Sequence, residues 1–216
     1  MPQRWWISFN LRAIRNPTTT KTFMIQEFIF WLKIGFTHIL DWQGYDHMLF
    51  LLILGAGFTF KNWKSLFILI TAFTVGHCLT LVLSTVHWIK IPAAWIEFLI
   101  PITILSTAIL QLLGVKKQQT FALVFFFGLI HGMGFSTLLK AMLGQEEFII
   151  LPLSGFNLGI ELGQIIWVLL LLSIHQFVIE LEKKFSGRLT LANFVLGYTY
   201  VGMVIALYLA VSRLPF

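Results

Sequence analysis

The chain has 216 residues, of which 58% are hydrophobic and only 11% are charged, and its mean hydropathy is +0.86. A soluble domain carries about 25% charged residues, so this composition excludes a soluble globular protein. The single cysteine, Cys78, excludes an intramolecular disulfide, and the net charge of +6 indicates contact with anionic lipid rather than nucleic acid. We predict an all-α membrane protein, because the apolar segments are continuous and do not alternate.

Seven apolar segments approach the roughly 20 residues that a helix needs to cross a bilayer. The first is the weakest, because it contains Glu27 and Lys33, and the second is short. In chain order they are Phe23–Leu40, His47–Phe60, Ser65–Val86, Pro92–Leu113, Phe121–Leu139, Ile149–Val178 and Leu189–Val211. We predict one polytopic transmembrane helical domain, residues 23–213, behind a basic cytoplasmic or interfacial tail, residues 1–22.

Basic residues at the segment ends indicate the topology. If all seven segments cross from an inner N-terminus, the outer side holds only Lys90, Lys140 and Arg213. The inner side then holds Arg4, Arg12, Arg15, Lys21, Lys61, Lys64, Lys116, Lys117, Lys183, Lys184 and Arg188. The positive-inside rule favours this bias, so we predict seven helices, with six as the alternative, in a multi-pass protein of a bacterial inner, cytoplasmic membrane. The N-terminus is expected inside and the C-terminus outside.

Five ionisable side chains stand in or beside these apolar segments: Asp46, His47, His77, His131 and Glu161. Each such group costs roughly 2.5–3.5 kcal/mol on insertion, so it usually faces a bundle interior and marks a site. Three imidazoles and two carboxylates also suit a divalent transition metal. With the topology above, all five can meet in the outer half of the bilayer, which predicts an intramembrane metal site.

These residues also have structural interpretations. Asp46 could cap the second helix, and His77 could be satisfied by hydrogen bonds from Thr74 and Thr80, one turn away on either side.

Three further histidines also have structural interpretations. His131 could be incidental to a packing motif made by Gly128 and Gly132. His87 and His175 lie near segment ends and are interpreted as interfacial residues.

Gly155, Gly159 and Gly163 repeat every four residues on one helical face. Such spacing predicts a tight packing seam, either inside the chain or between subunits of a homo-oligomer.

A polar stripe runs beside that seam and consists of Asn157, Glu161 and Gln164. A lone Glu161 could be a protonated structural acid, but three polar residues in one stripe favour a site. Asn157 and Gln164 are second-tier ligand candidates, as are His38 and Glu97.

Several short motifs occur in a recognisable order. They are Gly44-Tyr45-Asp46-His47-Met48-Leu49-Phe50, Gly76-His77-Cys78-Leu79-Thr80-Leu81, Gly128-Leu129-Ile130-His131-Gly132-Met133-Gly134-Phe135, and Gly155 through Gln164. As a set they resemble the HupE/UreJ family of hydrogenase and urease accessory membrane proteins.

The resemblance implies a secondary permease that supplies nickel. It implicates as metal ligands Asp46, His47, His77, His131 and Glu161. Met133 and Phe135 follow His131-Gly132 here, where better studied nickel permeases carry a second histidine and a glutamate, which indicates a distant branch.

We therefore expect a permease for a nickel-like divalent cation. The alternative is an intramembrane zinc-dependent hydrolase, in which the three histidines hold zinc and Glu161 or Asp46 acts as the general base. A role without metal, with Glu161 as a proton carrier, would leave the three histidines unexplained.

Overall fold

The computed structural model describes residues 17–42, 44–115, 117–143, 149–185 and 190–215. Within these residues the chain forms seven α-helices and no β-strand, which confirms the all-α fold class. The helices are α1 (Pro17–Ile39), α2 (Asp46–Leu54), α3 (Trp63–Thr85), α4 (Ala93–Leu112), α5 (Lys117–Leu143), α6 (Ile150–Lys184) and α7 (Leu191–Ser212). Most of the predicted basic tail, residues 1–16, lies outside the described residues, and residues 17–22 begin α1.

Five of the described helices, α3 to α7, are long and apolar enough to cross a membrane. Their boundaries follow the sequence: Pro92 is the N-cap of α4, while Pro101 lies inside that helix. The second helix is different, because its 9 residues reach only about 14 Å at 1.5 Å per residue. It is too short to cross a bilayer alone, and most of its side chains are buried in the bundle.

The first helix packs along α6 through the glycine seam. A Cβ atom at any of the three glycines would collide with or crowd atoms of α1. The facing pairs are Gly155 with Phe28, Gly159 with Leu32 and Gly163 with Phe36. The predicted tight packing is therefore confirmed, and of the two alternatives for the seam the structure shows the contact inside the chain, because α1 packs against these glycines.

These pairs also fix the direction of α1. Residue numbers rise together along α1 and α6, so the two helices are parallel. The second helix runs the same way, because Trp167 of α6 donates to the Met48 carbonyl oxygen (3.1 Å) and His175, further along, donates to that of Phe58 (2.7 Å).

The third helix runs against α6. Thr74 of α3 donates to Gln164 of α6 (2.7 Å), whereas Cys78, one turn later in α3, lies near Glu161, which comes earlier in α6. Since α1 and α2 are parallel to α6, both are antiparallel to α3.

Helices α1 and α2 are consecutive halves of one broken crossing. α1 ends at Ile39, which lies against Gly163 of α6. α2 begins at Asp46, and its Met48 contacts Trp167, one turn further along α6. The described residues therefore form the predicted number of seven helices, arranged as one broken crossing and five continuous ones.

An even number of crossings predicts that both chain termini lie on the same side of the membrane, in place of the expected inner N-terminus with an outer C-terminus. The reason is physical: the segment with Glu27 and Lys33 is not apolar enough to form a full crossing, and it shares one with α2. An inner N-terminus would now require an inner C-terminus as well.

This topology predicts that both termini are labelled from one side of the membrane. We would replace Cys78 by serine, place a single cysteine before Met1 or after Phe216, and treat intact cells with a membrane-impermeant thiol reagent. Both positions should give the same result, and a Lys61→Cys control at the other end of the bundle should give the opposite one. Opposite results for the two termini would restore an odd number of crossings.

Candidate metal centre

Four histidines from four helices meet in the middle of the bundle. One ring nitrogen of each of His38, His47 and His77 lies within 4.8 Å of the others. The ring of His131 is centred 5.0 Å from that of His47. We call these four residues the histidine cluster. The structure thus brings together the three histidines singled out in the sequence and adds the second-tier residue His38.

The broken crossing explains why His38 and His47 can both reach the cluster. His38 lies in the last turn of α1 and His47 in the first turn of α2, at the two sides of the break. Their rings are centred 4.7 Å apart. The interruption therefore lies at the cluster, halfway along the neighbouring helices.

Close packing of α3 and α5 sets the other two histidines at one level. A Cβ atom at Gly128 would collide with the backbone of Phe73, and one at Gly132 with the backbone of His77. The numbers rise together, so α3 and α5 are parallel and His77 faces the turn that carries His131. The small-residue motif predicted here is confirmed as a helix–helix contact.

The ring nitrogens of the cluster are buried without hydrogen-bond partners. This holds for both nitrogens of His77, for Nε2 of His38 and His47, and for Nδ1 of His131. His77 and His131 are both 0% exposed. Buried polar atoms are nearly always bonded, and each orphan costs about 1–3 kcal/mol. A ligand that accepts electron pairs from several of these nitrogens would remove that cost.

Thr103 of α4 sets the tautomer of His131. The Thr103 hydroxyl donates its only proton to the Ile100 carbonyl oxygen (2.7 Å), so the same oxygen must accept from His131 Nε2 (2.8 Å). With its proton on Nε2, a neutral imidazole presents a lone pair at Nδ1, the nitrogen left without a partner. This is how a neighbour commonly orients a metal-binding histidine. A single buried threonine carries no sequence signal, and our sequence analysis missed it.

Aromatic rings enclose the cluster. Phe135 and Phe156 are stacked with their centres 4.6 Å apart, and the Phe135 ring lies 4.4 Å from that of His38. Phe73 lies 5.1 Å from His131 on another side. These apolar surroundings exclude water and favour neutral imidazoles.

Asp46 lies next to the cluster in an ion pair. Its Oδ2 accepts from Arg213 Nη1 (3.0 Å), at the end of α7, while Oδ1 is buried and has no hydrogen-bond partner. The N-cap of α2 is Tyr45, and no side chain caps that helix, so the capping interpretation of Asp46 does not hold. No local pattern indicates the pair, because its members are 167 residues apart.

The polar stripe of α6 faces α3 instead of joining the group of three ligand atoms. Gln164 accepts from Thr74, and its Nε2 is buried without a partner. Glu161 is half-buried and faces Cys78, and Asn157 Oδ1 is another buried atom without a partner.

Thr74 and Thr80 do not form the hydrogen bonds to His77 that their spacing suggested. Thr74 donates to Gln164, and Thr80 donates to the Leu129 carbonyl oxygen (2.7 Å). Neither bonds the His77 imidazole, which leaves both of its nitrogens to the cluster.

The remaining candidates lie away from the cluster. Glu97 is exposed in the first turns of α4. His87 is exposed in the loop that follows α3, where its backbone is in the left-handed region (φ 63°). His175 was expected at the interface but is 0% exposed. It donates from Nδ1 to Phe58 and accepts from Tyr198 (3.0 Å), so it holds the segment after α2 in place.

Together these features define a polytopic helical membrane protein with a buried group of four imidazoles at a broken helix. The family model described as HupE / UreJ protein matches residues 15–212. The chain belongs to the HupE/UreJ family, as its motifs predicted. No curated protein and no solved structure matches it.

Proposed function

We propose that this protein is a permease for a nickel-like divalent cation and that the histidine cluster is its binding site. The observation that carries the proposal is the set of ring nitrogens buried without partners in His38, His47, His77 and His131. Neutral imidazole is a preferred ligand of nickel, zinc and related ions. The family name, which refers to hydrogenase and urease accessory proteins, supports nickel as the substrate and a bacterial inner membrane as the location.

The broken crossing supports transport. Secondary transporters commonly bind their substrates between discontinuous helices near the middle of the bilayer. Here the C-terminal end of α1, which carries the partial negative charge of the helix dipole, lies at the cluster through His38. A cation at the cluster would be favoured by that helix end.

Carboxylates would balance part of the ion's charge. Asp46 has one oxygen paired with Arg213 and the other free of hydrogen bonds, so it is our first choice for this role. Glu161, with Asn157 and Gln164 in the same stripe, would be a second binding position for the ion, at the contact between α3 and α6.

A line of polar groups on α4 leads from the cluster toward the start of α3. Thr103 bonds His131, Thr107 is buried one turn later, and Gln111 follows after another turn. Thr107 and Gln111 line a cavity of about 40 Å³ at that end. Hydroxyl and amide oxygens can replace water around a cation that leaves the cluster.

The zinc hydrolase is our second candidate. It needs a carboxylate free to act as a base beside the metal. Asp46 shares one oxygen with Arg213, and neither Asp46 nor Glu161 is a member of the group of three ligand atoms, so the geometry favours the permease.

The test is uptake by proteoliposomes. Vesicles that contain the purified protein and an internal nickel-sensitive dye should take up nickel, and His47→Ala vesicles should not. His87→Asn replaces an exposed histidine outside the cluster and should transport normally. Zinc retained through purification together with no uptake by the wild type would instead support the hydrolase.

A further inference from the structure

A second polar site lies apart from the histidine cluster. A cavity of about 140 Å³ opens between the end of α3, the loop that follows it and the last turns of α5. Its polar lining consists of Ser84, Lys90, Ser136, Thr137 and Lys140, and among the described residues no carboxylate lines it. We call it the lysine cavity. No member of the histidine cluster contributes to its walls.

Among the residues that the structure describes, no acidic group in the lining balances the charges of this cavity. Lys140 Nζ donates to the Ser84 hydroxyl (3.2 Å), a neutral partner, and Lys90 lines the same small space. Like charges on two residues that line one cavity repel each other, more strongly where water is partly excluded. An anion between them would convert that repulsion into attraction.

The hydroxyl groups suit an anion with several oxygens. Ser84 is buried and accepts the bond from Lys140, which leaves its own proton to donate. Thr137 adds a further hydroxyl to the same wall. Ammonium and hydroxyl donors converging on one space are the groups that bind phosphate oxygens. A transported cation, by contrast, would be repelled.

The position of the cavity indicates where the anion comes from. It lies at helix ends, beside the exposed Trp88 and Ile91, where an interfacial aromatic belt and lipid headgroups are expected. Basic pockets at this depth bind lipid phosphate groups.

We propose that the lysine cavity is a binding site for a phosphate group, carried by an anionic lipid or present as free phosphate. This site is independent of the proposed transport function. It would hold the ends of α3 and α5, the two helices that carry His77 and His131, against the same headgroup.

The experiment is a titration of the purified protein in a neutral detergent with short-chain phosphatidylglycerol, followed by native mass spectrometry. The Lys90→Gln/Lys140→Gln variant should bind this lipid about 30-fold more weakly than the wild type. This factor assumes that each removed lysine contributes the attraction typical of a basic residue near anionic lipid. The Lys90→Arg/Lys140→Arg variant should retain binding. Lys61→Gln/Lys64→Gln removes two exposed lysines at the other end and should bind like the wild type. Unchanged melting temperatures would show that each variant is folded.

Two further titrations identify the source. Binding of inorganic phosphate as well as the lipid would support a site for the phosphate group itself, and binding of the lipid alone would support a headgroup site. Phosphatidylcholine, which has no net charge, should bind weakly to all variants. Equal binding of phosphatidylglycerol by the wild type and the Lys90→Gln/Lys140→Gln variant, or no binding by the wild type, would overturn the proposal.

Discussion

Replacing His77 by alanine is expected to weaken nickel binding by more than about 100-fold. Loss of a residue that merely orients a ligand typically costs 10- to 100-fold in metal affinity, and loss of a ligand costs more. His77 is fully buried, both of its ring nitrogens lack other partners, and it belongs to the group of three ligand atoms. Isothermal titration of the purified protein with nickel measures the change directly.

The control for this experiment is His87→Asn, which removes an imidazole from an exposed loop. This variant should bind nickel like the wild type, and its melting temperature should be unchanged. A His77→Ala protein that is folded and still binds nickel with wild-type affinity would show that the cluster is not the site. The hypothesis of a proton-carrying Glu161 would then be the next to test.

Replacing Gly159 by leucine is expected to lower the free energy of unfolding by at least about 3 kcal/mol, the upper part of the range for overpacking. A Cβ atom at this position would collide with the Leu32 carbonyl oxygen and crowd the Phe36 amide. Both are backbone atoms, so no side-chain rotation relieves the contact. Thermal unfolding in detergent measures the change, and nickel titration should also show a loss, because α1 carries His38.

The same substitution at Gly197 is the matched control. A Cβ atom there would meet nothing within 4 Å, and the residue is exposed on α7. Gly197→Leu should leave stability unchanged or raise it by up to about 1 kcal/mol, because glycine is a poor helix former. Equal melting temperatures for the two leucine variants would mean that α1 is not seated on α6 as described.

Much of this molecule could be predicted from residue patterns. Continuous apolar segments indicated the seven helices, and glycines at four-residue spacing indicated where backbones meet. Isolated imidazoles in those segments indicated that His47, His77 and His131 lie close together, because a polar group inside a membrane usually faces the bundle interior and pairs with another polar group. Each of these inferences rests on local composition, which is printed in the sequence.

The direction of α1 could not be obtained in this way. A count of basic residues assumes that each apolar segment crosses the bilayer once, and the segment with Glu27 and Lys33 crosses only together with α2. For the same reason His38 was only a second-tier candidate, although it lies at the break in the crossing and belongs to the cluster.

Contacts across long sequence distances were equally invisible. Thr103 reaches His131 and Arg213 reaches Asp46 only after the helices have assembled. His175 was interpreted as an interfacial residue, because no nearby residue indicates its hydrogen bond to the Phe58 carbonyl oxygen. Such pairs depend on the packing of the whole bundle.

Because the four imidazoles come from four separate helices, metal binding at the proposed site would be linked to assembly of the bundle. No single helix or helical hairpin of this chain contains the group, so a partly folded chain cannot offer it to an ion. By mass action, an ion that binds only the assembled bundle stabilises it by about 2.7 kcal/mol when its free concentration is 100 times the Kd. The substrate would therefore act as a folding ligand, and a larger fraction of the protein would be folded in cells well supplied with the metal than in starved ones.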